Sequence, residues 1–457
     1  MAPQITIIGG GSNQWVPKLV VDFVNTRSLH GAEIVLEDVK PDNLERMQRF
    51  VEHCAKVRGI AMTCRTTTNQ RAALEGADFV VLSISTGGFD AMRSDLEIPA
   101  RYGLYQTVGD TVGPGGIIRG LRNIPVVLGI ARDMEDVCPD AWLLSLTNPM
   151  TTLCRAVTQE TGIKTVGLCH EVTIASFFIS TMIGTSFLEF DPTITGVNHI
   201  PLITELDCGG QDGFELLREF VDSPWGLDEE LPFDLPEGLG IPPRKRTGRW
   251  TKGELVDMSR VKLDFFTRFG ALPAAADRHI VEFFPGFLLD EEDFVDRWNV
   301  HLTTIDDRIH FERSFSDSLD ELMAHDEVSH MPSGEMLAGV IDSLLGGRPR
   351  NVAVNIPNHG QAPDLPQDVV VETMCVADAD GVRGRDVAPA PPILGEYLRR
   401  VSSSQELVVD AALTGRRDLV FQAMLADPMA SRIDFTRLET MTDEMIDATK
   451  RWLPAFP

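Results

Sequence analysis

The sequence predicts an α/β fold, with a Rossmann-type parallel sheet over residues 1–195 and a mixed α+β domain over 196–457. Three observations carry that prediction. Short apolar runs alternate with helical stretches of roughly a dozen residues, which marks βαβ units. Each run ends in small or polar residues, the edge at which ligands bind in such sheets. Near residue 190 the alternation gives way to mixed strand-rich and helix-rich text.

In order, Gln4–Ile8 reads as a strand, followed by glycines and a helix around Val16–Asn25. Glu33–Leu36 is a second strand, ending at Glu37-Asp38 and followed by a helix over Pro41–Arg58. Phe79–Ile84 is a buried strand that stops in Ser85-Thr86-Gly87-Gly88. A helix over Ile117–Glu135 leads to the strand Ala141–Leu146, which halts at Asn148-Pro149. A helix over Met150–Glu160 then leads to the strand Thr165–Leu168, ending at Cys169. Further on, Phe190–Asp207 and Val352–Val376 are strand-rich, and Gly196-Val-Asn-His-Ile200 reads as apolar strand. Lys252–Phe269, Asp317–His325, Gly334–Gly346 and Ile393–Asp427 read as helices, and Asp222–Thr251 reads as a Pro- and Gly-rich excursion.

Composition narrows the function classes. A chain of 457 residues is too long for one ordinary core, which suggests two domains or three. Its formal charge of -27 argues against nucleic acid or an anionic membrane as partner. The N-terminus lacks a basic segment before its short apolar run, and no apolar stretch has spanning length, so a cytoplasmic protein is expected. The seven cysteines contain no CxxC pair and read as reduced thiols.

The first site candidate is the run Gly9-Gly10-Gly11-Ser12-Asn13 between the first strand and its helix. Glycines permit a tight turn and let a pyrophosphate approach backbone N–H groups at a helix N-terminus. Asp38 ends the second strand, where a carboxylate binds the adenosine ribose of NAD and repels the extra phosphate of NADP. The third glycine of the usual fingerprint is missing, since Gln14 stands three residues after Gly11.

Other polar residues sit at strand ends or within apolar text. They are Arg93-Ser-Asp95, Asp110 in a glycine-rich loop, Asn148, Cys169-His170-Glu171, Asn198-His199, and Asp277, Arg278, His279 and Glu282 in one short stretch. Each has a bland alternative. A strand histidine is more often a satisfied core residue, a lone cysteine a small hydrophobe, Asp110 a helix cap, and the 277–282 group an ion-pair network.

Taken together, the segments ITIIGGGS, SDLEIPARYGLYQTVGDTVGPGG, TNP, GLCHEV, GVNHI, DRHIVEFFP, NIPNHG, LPQDVVVE and ELVVDAALTGRRDLVFQAMLADP resemble the NAD- and metal-dependent glycosidases of glycoside hydrolase family 4. That family shares its fold with lactate and malate dehydrogenases. The four-residue signature Cys169-His-Glu-Val172 resembles the α-glucosidase-like branch. The VGD run differs from the GQE-like run of many members. The resemblance implies a redox route to hydrolysis, in which NAD oxidises C3 of the sugar, a divalent cation, most often Mn2+, stabilises the C2 anion, and elimination, water addition and reduction follow.

Carried over position by position, the resemblance implies Cys169 and His199 as metal ligands, Asp110 as leaving-group acid and Asp277 as C2 base. Asn148, His170, Arg93 and Arg278 would contact substrate. As an acid, Asp110 needs water-excluded surroundings that raise its pKa. A homodimer or homotetramer is expected. The basic run Arg244–Lys252 reads either as a solvated loop or as a site for an anionic sugar substituent, such as the sulfonate of a sulfoquinovoside. The rival reading, a plain NAD-linked dehydrogenase of a sugar or hydroxy acid, needs no Cys169–His199 pair.

Overall fold

The structure, a computed structural model, describes residues 2–231, 249–289, 291–325, 327–330, 333–454 and 456, the side chains of 291–294 excepted. Twelve strands are found among them: β1 Gln4–Ile8, β2 Glu33–Glu37, β3 Thr63–Thr67, β4 Phe79–Leu82, β5 Trp142–Ser145, β6 Lys164–Gly167, β7 Phe190–Thr195, β8 Leu202–Cys208, β9 Leu272–Pro273, β10 Arg350–Pro357, β11 Val370–Asp378 and β12 Gly381–Gly384. The first six form a parallel sheet in the order β3-β2-β1-β4-β5-β6. That is the doubly wound dinucleotide-binding order. β1, β2 and β4 carry Ile, Val, Leu and Phe side chains that are buried on both faces, as a sheet covered by helices requires.

The C-terminal half does not stand apart from this sheet. β10, β11 and β12 extend it by antiparallel pairing, with Asn355 of β10 opposite Gly167 of β6. Gly167 is needed there, because a Cβ would lie 2.7 Å from Met150 Cγ and 2.9 Å from Asn355 Cβ. The expected division at 195/196 passes between β7 and β8, which pair with each other in a second, three-stranded antiparallel sheet closed by β9.

Helices cover both faces of the large sheet. Trp15–Asn25, Leu44–Arg58 and Leu337–Leu344 build one core. Gly113–Val137, Met150–Glu160, Pro392–Thr414 and Arg417–Ala426 build the other. A third core lies between the helix Glu171–Ile183 and the small sheet.

Two expectations fail in instructive ways. The strand ends at Gly167, and residues 168–170 turn directly into Glu171–Ile183, which is apolar around most of its circumference and so lacks a helical stripe in sequence. The segment 196–201 is a turn instead of a strand. Gly196 has φ 153 and His199 has φ 69, and the turn reverses the chain between β7 and β8.

The helix Gly88–Arg101 is locked to Gly113–Val137 by an ion pair between Asp95 and Arg122, both side chains 0% exposed. Arg122 Nε also donates to the carbonyl of Thr86. Removing one partner strands a buried charge, so Arg122→Met should destabilise the protein by about 3 kcal/mol or more, measured by thermal denaturation.

Candidate active site

The nucleotide loop is built on a close approach between strands. Gly9 has φ +93, and a Cβ there would stand 1.9 Å from the carbonyl oxygen of Ser83. Gly9 N and Gly10 N both donate to Glu37 O (2.9 and 2.7 Å), and Gly11 N donates to Asp38 Oδ2 (3.2 Å). Ser12 Oγ accepts from Trp15 N and so caps the helix that follows. Asn13 is held at both ends, by Asn43 Nδ2 on its Oδ1 and by Glu312 Oε1 on its Nδ2, each at 2.8 Å. Asp38 thus stands at the end of β2 beside the glycines. Asp38→Ala should weaken NAD binding at least about tenfold and narrow the preference over NADP, read by fluorescence titration with each nucleotide.

Asn148 and Cys169 follow the C-terminal ends of β5 and β6, and Asp110 lies in the loop ahead of Gly113–Val137. Asn148 is fixed by its main chain: Arg119 Nε (2.9 Å) and Asn123 Nδ2 (3.2 Å) donate to its carbonyl. Its Nδ2 donates to Asp110 Oδ2 at 3.2 Å. Thr111 Oγ1 donates to Asp110 Oδ1 at 2.7 Å and lies 2.9 Å from His199 Nδ1. A hydroxyl has one proton to give, so with Asp110 taking it, the Thr111 oxygen accepts from His199 Nδ1–H and leaves the Nε2 lone pair free. The rings of His199 and His279 stack with centroids 3.8 Å apart.

Electrostatics follow from this crowding. Burial, with the His279 imidazole against it, pushes His199 down to about 3, so it is neutral as a metal ligand must be. Burial also raises Asp110, but His199, His279 and Arg119 outweigh it and hold the carboxyl below its ordinary range. The condition set for Asp110 as an acid is therefore not met in this arrangement. Asp110, His199 and His279 instead bring ligand atoms within 4.8 Å of one another.

Cys169 is half-buried beside the Asn198 side chain, Glu372 and Glu171. Burial, with those carboxylates, pushes its thiol well up. It does not belong to the Asp110–His199–His279 group, which contains only His199 of the expected Cys169–His199 pair. The hub is Glu171, whose Oε2 accepts from Ala276 N at 2.6 Å. Its Oε1 lies 3.4 Å from His279 Nε2, 3.7 Å from Arg278 Nη2 and 3.9 Å from His170 Nε2. Burial would raise this carboxyl, but those three neighbours hold it well below its ordinary range.

Other expected residues are placed differently. Arg278 reaches the cluster, whereas Arg93 is an exposed helix residue paired with Glu97 four positions on (2.8 Å). His170 is tied through Nδ1 to Glu335 at 3.0 Å, beside Trp15. Asp277 is buried, but its oxygens accept from Val261 N (2.7 Å) and Lys262 N (3.1 Å), capping the start of Arg260–Phe269. Burial raises Asp277 to about 6, and its carboxylate is not among the Asp110–His199–His279 ligand atoms. In the basic run, 244–248 lie outside the described residues; Lys252 is buried, 3.4 Å from Glu229 Oε2.

The site fits a cation and a polyhydroxylated ligand. Buried side-chain atoms without a hydrogen-bond partner among the described residues converge here, including Asn148 Oδ1, Asn198 Oδ1, His279 Nδ1, Glu372 Oε1 and Arg278 Nε. Two imidazoles and a carboxylate with ligand atoms within 4.8 Å of one another suit a borderline divalent metal. His199→Ala should weaken Mn2+ binding by about 100-fold or more, read by electron paramagnetic resonance titration of the free ion.

Comparison with known proteins agrees with the geometry. Residues 4–185 match the description "Family 4 glycosyl hydrolase", and residues 194–430 match "Family 4 glycosyl hydrolase C-terminal domain". The chain is 32% identical to an α-galacturonidase of Thermoanaerobacterium saccharolyticum, over 99% of this chain and 97% of that protein. It is 29% identical to an α-galactosidase of Bacillus subtilis, over 99% of each. A 6-phospho-α-glucosidase from gut microorganisms, solved with NAD and Mn2+, shares the fold at a TM-score of 0.81 and 20% identity, over the full length of both chains.

Proposed function

The chain belongs to family 4 of the glycosyl hydrolases, and on that premise we propose that it hydrolyses an α-glycoside with NAD and a divalent cation, most readily Mn2+, by oxidation at C3, elimination, water addition and reduction. The observation that carries the reading is a nucleotide loop at β1 in one sheet with the ends of β5 and β6, together with a buried cluster of two imidazoles and a carboxylate, Asp110, His199 and His279, which a plain dehydrogenase has no use for. NAD supplies a reversible hydride acceptor. The cation supplies Lewis-acid polarisation of neighbouring sugar oxygens.

The chain's own residues would bind the sugar and move its protons, with buried Asp277, raised to about 6 by burial, taking the C2 proton. Cys169 and His199 would hold the cation, with Asp110 and His279 grouped around His199. Asn148, fixed by Arg119 and Asn123, offers its free Oδ1 to a sugar hydroxyl. Asp110 would serve as leaving-group acid; its carboxyl lies below its ordinary range without substrate, so the role requires that Asp110 be protonated in the substrate complex. Arg278, with a buried unpartnered Nε, contacts the substrate.

The finer reading is a sugar with an anionic C6 group. It is supported by Arg278 at the site's edge and by several relatives named α-galacturonidases. A panel of nitrophenyl α-glycosides, neutral, 6-phospho, uronic and 6-sulfonated, tests both levels. Aglycone release should need NAD and Mn2+ together, be fastest on an acidic sugar, and leave no accumulated NADH. Steady NADH formation without aglycone would favour the dehydrogenase instead.

A further inference from the structure

We propose that Glu282 is the positioning residue for Asp110, gripping from the C-terminal half the loop that presents Asp110 to the sugar. The proposal rests on the reading of Asp110 as leaving-group acid. Glu282 lies in the short helix Asp277–Phe283 and is 1% exposed. Its Oε1 accepts from both Val108 N (2.7 Å) and Gly109 N (2.8 Å), the two amides that precede Asp110.

The opposite edge of the same loop is held as well. Arg308 Nη2 donates to Val108 O at 2.5 Å, Thr303 N donates to Thr107 O at 3.0 Å, and Thr107 Oγ1 donates to Arg278 O. Three consecutive residues therefore have backbone or side-chain groups fixed by partners some 170 to 200 positions away. Gly109 has φ +68, a left-handed backbone conformation that glycine adopts readily. Without the Glu282 oxygen, two buried amides lose their acceptor and the loop relaxes. A shift of about 1 Å in an acid can cost about 100-fold in rate.

Among the described residues no other side chain accepts from these two amides, and Gln keeps the geometry because its amide oxygen still accepts. Asp places the acceptor one methylene short, and Ala removes it. The test uses the full-length enzyme with NAD and Mn2+ and two glycosides of one sugar. One carries a dinitrophenyl group, which departs without help, and the other a methyl group, which needs a proton.

Asp110→Ala is measured first and should lose rate on the methyl glycoside far more than on the dinitrophenyl one. Glu282→Ala should then lose about 100-fold in kcat on the methyl glycoside with KM little changed, and only a few-fold on the dinitrophenyl one. Glu282→Gln should restore most of the loss. Glu282→Asp should give the same split in milder form, which keeps the test sharp if the alanine variant folds poorly.

Equal losses on both glycosides, or no loss, would overturn the role of Glu282 while Asp110→Ala still shows the split. Absence of the split in Asp110→Ala itself would overturn the acid assignment and this proposal with it.

Discussion

A buried carboxylate organises this molecule. Glu171 is almost wholly removed from water, and a carboxylate in that position is tolerated only when its charge is met by donors and cations. Those partners are Ala276 N, Arg278 and His279 from the second half and His170 from its own turn. Meeting that requirement draws the segment 276–279 onto the end of β6. His279 then stacks on His199, and His199 shares Thr111 with Asp110. The cluster and this desolvated charge are thus joined by one chain of contacts.

The same logic explains why the halves interlock. Three strands from the C-terminal half complete the nucleotide-binding sheet, and Gly167 permits the close seating of β10 beside β6. The ends of β5 and β6 and the loop before Gly113–Val137 are therefore faced by residues that chain position alone separates widely. Glu372, on β11, stands beside Cys169 and Asn198, its carboxyl pushed up to about 7 by burial. Each segment that carries a candidate ligand is held by a different part of the chain.

Much of this was legible in the residues. The parallel sheet, the glycine loop, Asp38, Asn148 and Cys169 lie at strand ends that periodicity alone locates, and the sheet order agrees. The turn at Gly196–Pro201 was misread because Val197 and Ile200 look like strand, although Gly196, Asn198 and Pro201 are turn formers that signal it. The helix after Cys169 was hidden by its all-round apolarity. His279, Glu282 and Glu372 were within reach as residues, but their neighbours depend on tertiary packing that no local spacing encodes. Arg93 shows the reverse: its neighbours in sequence suggested a site, and helix geometry turned it outward to Glu97.

The central claim is that hydrolysis proceeds through loss of the C2 proton, made acidic by oxidation at the neighbouring carbon. It is tested most directly by running the reaction in deuterium oxide with NAD and Mn2+ and reading the released sugar by nuclear magnetic resonance. The account predicts deuterium at C2 of the product. Product that retains hydrogen at C2 would contradict it and point to direct displacement at the anomeric carbon.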